Sequence, residues 1–142
     1  MSYKSAKIGR VFLLRWRDPR STDIENVLRE LRELKAALGA PPVYIGVVPE
    51  DSPAPSPEAR KAMMDNMRAI SDLCETVHVV MLGRGLRFTA QRSAAAAMFL
   101  IAGTRKIYTD DTLEAALKHT SLTPAERTIL LDEARKNEIV AA

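Results

Sequence analysis

From Thr22 onward, Ile24, Val27, Leu28, Leu31, Leu34 and Leu38 recur three and four residues apart, with Arg29, Glu30, Arg32 and Lys35 between them. That period predicts an amphipathic helix with one buried face. Thr22 and Glu25 have the spacing of a capping box at its start, and Gly39, Pro41 and Pro42 supply its stop. Upstream the period is lost. "KIGRVFLLRWRD" is rich in β-forming residues, and Gly9 can turn a hairpin between a strand over 2–8 and a second over Arg10–Trp16.

Two later runs, "VYIGVV" and "TVHVVMLG", are apolar without alternation, the composition of strands covered on both faces. Gly83 and Gly85 close the second. Between the two runs, Ser56 makes an N-cap with Pro57 at the first helical position, and Met63, Met64, Met67, Ile70, Leu73 and Cys74 mark the buried side of a second helix. "LRFTAQRSAAAAMFLIAG" reads as a third helix whose alanines predict close packing on the sheet. The strand "KIYT" follows, then "DDTLEAALKH", where Asp111 and Glu114 have capping-box spacing. Thr123, Pro124 and Glu126 open a last helix over residues 123–139, with Ile129, Leu130 and Ala134 placed to pack.

The order β-β-α-β-α-β-α-β-α-α predicts one α/β domain over residues 1–142. Its sheet is mostly parallel, four- to five-stranded, with an antiparallel N-terminal edge strand, a cover of helices and an appended C-terminal helix. Composition narrows the function classes. With 46% hydrophobic and 27% charged residues over 142, the chain can bury a core without staples. Its longest apolar stretches, such as Ala94–Ala102, are too short to span a bilayer. "MSYKSAKIGR" is followed by an apolar run that Arg15 and Arg17 break, so no secretory leader is read and a cytoplasmic location is expected. The single cysteine, Cys74, excludes an internal disulfide and a thiolate metal cage. A net charge of +3 invites nucleic acid, but the basic bias is confined to Lys4–Arg20 and aromatic residues make up only 5%, so nucleic-acid binding is not expected.

The strand pair ending in "VFLLRW", the passage "VYIGVVPEDSPAPSPEARKAM", the strand "VHVVMLG" and the closing "KIYTDDTLEAALKH" together resemble the STAS or SpoIIAA-like fold. This is the bacterial anti-sigma-factor antagonist superfamily, related to the CRAL-TRIO lipid-binding domains. The resemblance spans nearly the whole chain and implies a non-catalytic signalling module that regulates a protein partner. In that family a serine at the N-terminus of the helix after the central strand is phosphorylated, which releases the partner. The resemblance therefore implies Ser52 and Ser56 as phosphorylation candidates. The physical sense is that about two negative charges added at an interface remake it. Beside that reading stands another, in which Ser56 is only a cap and Ser52 only solvated.

Residue chemistry places the same emphasis. No nucleophile elbow, phosphate loop, metal-binding histidine pair or dinucleotide fingerprint occurs, so neither an enzyme nor a cofactor or metal is expected. His78 falls inside an apolar strand and His119 near the end of a short helix, positions of core or surface histidines; Cys74 lies on an apolar helix face. Asp51 and Asp110 can sit near strand ends. Arg84, Arg87 and Arg92 gather around the start of the third helix, where they can hold an acidic partner or simply pair on the surface. The expected partner surface comprises Glu50, Asp51, Ser52 and Ser56 with Arg84, Arg87 and Arg92. A homodimer follows if the Met-rich or Ala-rich helix exposes its apolar side. The alternative function is a small-ligand or lipid-binding domain with an apolar cavity between the sheet and the third helix.

Overall fold

In a computed structural model, which describes residues 3–16, 21–52, 57–101 and 106–140, ten elements follow one another in the expected order. They are β1 (Tyr3–Ile8), β2 (Val11–Trp16), α1 (Ser21–Leu38), β3 (Val43–Val48), α2 (Pro57–Leu73), β4 (Thr76–Met81), α3 (Leu86–Ile101), β5 (Ile107–Asp110), α4 (Leu113–Leu117) and α5 (Pro124–Lys136). The strands form one five-stranded sheet in the order β1-β2-β3-β4-β5. β1 runs antiparallel to β2, and every other pair is parallel. Gly9, with φ of 58°, makes the hairpin turn in a conformation that a side chain disfavours.

Because the parallel strands add in one direction, right-handed crossovers send α1, α2 and α3 to one face. Alternation along the strands divides the core accordingly. Phe12, Leu14, Trp16, Tyr44, Val77 and Val79 point toward α1–α3 and meet Ile24, Val27, Leu31, Met67, Ile70 and Phe99. Val11, Leu13, Val43, Ile45, Val47 and Val80 point the other way and meet Leu113, Leu117, Leu130 and Ala134 of α4 and α5. On the first face Trp16 Nε1 donates to Tyr44 Oη at 3.0 Å in a fully buried setting. Gly46 leaves the room for that pair, since a Cβ there would lie 2.9 Å from Tyr44 Oη. Burial raises the Tyr44 phenol far above its ordinary pKa, so it stays neutral.

Several local expectations shift. α1 already includes Ser21, so Thr22 lies inside the helix rather than at its cap, where the backbone must be non-helical. The cap of α4 is Thr112, not Asp111: its extended backbone (φ −137°, ψ 157°) lets its hydroxyl accept from Ala115 N–H. At α5 the capping box of Thr123 and Glu126 forms as expected. Ile129 is 56% exposed, and Leu130 and Ala134 carry the packing of that helix. The expected close packing of the α3 alanines holds only in part: Ala95 packs against the core, Ala94 and Ala97 are exposed, and only Phe99 among the helix's described side chains is buried.

At the N-terminal end of the parallel strands, Arg10 ties distant segments together. Its guanidinium bonds Glu75 at 3.1 Å, Glu126 at 3.2 Å, Ser121 Oγ at 2.9 Å and the Ser121 carbonyl at 3.0 Å. Ser121 Oγ in turn donates to Glu75 at 2.9 Å. The backbone hydrogen bond from Thr123, then the Arg10 side chain, hold the Glu126 carboxyl below its ordinary pKa.

Candidate functional site

The C-terminal ends of β3 and β4 release two loops side by side, joined by a 3.0 Å bond from Leu82 N–H to the Val48 carbonyl. In the first loop Ser52 N–H reaches back to the Pro49 carbonyl at 3.2 Å, closing a turn. Pro49 is buried, Glu50 and Asp51 are exposed at the turn's centre, and Ser52 is half-buried. Ser56 lies outside the described residues.

The second loop is stiffened from within. Gly83 and Gly85 adopt φ of 132° and 102°, and a Cβ at Gly83 would come within 2.5 Å of the Phe88 ring. Arg92 turns back from the second turn of α3 and donates to the carbonyls of Met81 and Gly83, both at 3.0 Å, and to Thr89 Oγ1 at 3.4 Å. Thr89 N–H and its hydroxyl both donate to the Gly85 carbonyl at 3.1 Å, which anchors the helix start. So the arginine cluster splits. Arg92 is occupied with loop carbonyls, whereas Arg84 and Arg87 are exposed, Arg87 lying 5.8 Å over the Phe88 ring. Among the described residues no ion pair joins Glu50 or Asp51 to Arg84 or Arg87. An acidic turn and a basic helix start thus stand at the ends of adjacent strands.

On the opposite face the sheet assembles a group that residue-by-residue reading misses. His78 stacks on Tyr108 (centroids 5.2 Å apart, planes 10° apart), and Tyr108 stacks on His119 at 5.3 Å. His119 Nδ1 lies 3.3 Å from Asp110 Oδ2, a carboxylate oxygen that accepts from it. His78 is fully buried, with Nε2 2.8 Å from Thr76 Oγ1 and Nδ1 unpartnered. Burial, then the nearby His119, pushes its pKa down to about 4, so at neutral pH it is an uncharged core residue. The signal available in the sequence is parity: residues 78 and 80, and 108 and 110, share one side of paired strands.

Cys74, the residue after α2 rather than on its face, is buried in the core, and burial pushes its thiol up to about 12, the state of an inert thiol. A shallow groove of about 410 Å³ lies between the ends of α1 and α2, lined by Arg32, Lys35, Ala36, Gly39, Pro41 and Leu73, far from the two loops. Among the described residues no group of three histidine, cysteine or carboxylate side chains could hold a metal ion, and no helix is long and apolar enough to cross a membrane. Comparison with protein-family models, curated proteins and solved structures gives no match for the chain.

Proposed function

We propose that the chain is a non-catalytic regulatory module of the STAS type that binds a protein partner at the C-terminal edge of its sheet. The observation that carries the reading is the pairing of two oppositely charged loops with no ion pair between them among the described residues: Glu50 and Asp51 on one, Arg84 and Arg87 on the other. Such a surface selects a partner of complementary charge pattern and penalises others. Ser52 sits at the end of the acidic turn. A phosphate there adds charge beside Glu50 and Asp51, and repulsion of an acidic partner segment follows.

Affinity capture from the native cell extract with wild-type protein, Arg84→Glu and Ser52→Asp, read by mass spectrometry, tests this. A partner retained by the wild type and lost from Arg84→Glu, with unchanged circular dichroism, supports the surface. Ser52→Asp is expected to weaken the same complex about tenfold or more; unchanged affinity for both variants sinks the proposal.

A further inference from the structure

α3 carries a seam that the rest of the fold leaves uncovered. Leu86 is 89% exposed and Leu100 71% exposed, and Ala90, Ser93 and Ala97 between them are exposed too. These five positions are spaced four, three, four and three residues apart. That is the alternation of a coiled-coil seam, and on a helix it places all five along one stripe facing away from the sheet. The stripe is also self-complementary about Ser93: reversing the helix brings Leu86 against Leu100, Ala90 against Ala97 and Ser93 against itself. Small residues in the middle let two backbones approach closely, while the leucines close the ends.

Charge favours the same arrangement. α3 has no acidic residue in its first turn and no basic residue in its last, so within the helix itself no side chain offsets the carbonyl pole. An antiparallel second copy sets Arg87, which flanks the stripe one residue after Leu86, beside that pole. A parallel copy would set the two Arg87 side chains together.

We infer that α3 is the interface of a twofold homodimer, formed by antiparallel pairing of the Leu86–Ala90–Ser93–Ala97–Leu100 stripe with the same stripe of a second copy. An isologous contact of this kind closes on itself and yields dimers rather than chains. A helix of 16 residues is about 24 Å long, so the contact is at the small end of specific interfaces and the dissociation constant expected is micromolar. The seam itself excludes the Glu50–Ser52 turn and Arg84 of the proposed partner surface, and Arg87 borders both.

Sedimentation equilibrium of the full chain, from about 1 to 300 µM, is expected to fit a monomer–dimer equilibrium in that range. The double variant Leu86→Glu, Leu100→Glu places carboxylates in the seam and is expected to raise the dissociation constant at least a hundredfold without loss of helical signal. Ser93→Cys, at the twofold centre, is expected to form an interchain disulfide under mild oxidation, whereas Thr128→Cys on the exposed side of α5 does not. Three results would each overturn the interface: a monomer throughout the range, a dimer that survives both glutamates, or no enrichment of the Ser93→Cys crosslink over the control.

Discussion

α1 and α3 lie on the same face of the same sheet and use their apolar residues in opposite ways. α1 is the less apolar of the two, yet it buries Ile24, Val27, Leu31 and Leu34 against the sheet and α2, because those residues fall on one stripe. α3 contains four consecutive alanines, Met98, Phe99, Leu100 and Ile101, but it distributes them around the helix, and Leu86 and Leu100 end in solvent. Hydrophobic content therefore sets how much a helix could bury, and periodicity sets what it does bury. α3 is held at its front instead by polar and conformational devices: the Arg92 bonds to loop carbonyls and the glycine turns beneath Phe88.

The contrast can be broken most forcefully at Leu31. Leu31→Ala removes a fully buried side chain and is expected to cost about 2–5 kcal/mol in urea denaturation, while Leu100→Ala in dilute protein stays within about 0.5 kcal/mol. Comparable losses would mean that α3 is seated as firmly as α1. His78 is the inverse of the α3 leucines, a polar group in the interior. Its folded pKa of about 4 lies below the ordinary 6.5, so the unfolded chain takes up the proton first as pH falls. Stability is whole above about pH 6.5, declines between 6.5 and 4 by up to about 3 kcal/mol, and changes no further through this group below that. His78→Leu is expected to flatten that decline, and equal acid losses in both proteins would assign the proton uptake elsewhere. A more modest loss than at Leu31 is expected at the front of α3. Gly83→Ala forces a side chain into φ of 132° and against Phe88, for a loss of about 1–3 kcal/mol. A loss close to zero would show the loop free to rearrange and α3 unclamped.

The sheet and its helices were legible because their signals are periodic and local: continuous apolar runs for β3 and β4, a three-and-four spacing for α1, and Thr123 with Glu126 at α5. Errors arose where neighbouring residues share one chemistry. Asp111 and Thr112 are both capping types, and the backbone selected the second. Ile129 and Leu130 differ in burial only through the rotation of α5 on the sheet. For the candidate site, the turn at Glu50–Ser52 and the exposure of Arg84 and Arg87 follow from loop position. The inward fold of Arg92 depends on where the carbonyls of Met81 and Gly83 point, which residue type does not encode. The stack of His78, Tyr108 and His119 needs the pairing register of β4 with β5 and the return of the chain after α4, both long-range facts.

The Arg10 cluster bears on the order of assembly. Synthesis from the N-terminal side makes Arg10 111 residues ahead of Ser121 and 116 residues ahead of Glu126, two of its partners in this cluster. The hairpin can pair by itself, but its turn is pinned to the rest of the sheet only after α4 and the start of α5 have also been made. β1 and β2, made ahead of the other strands of this sheet, are therefore among the last of its parts to be locked. A truncation before α5 would leave Arg10 without Glu126 and the β1–β2 end of the sheet without its cover.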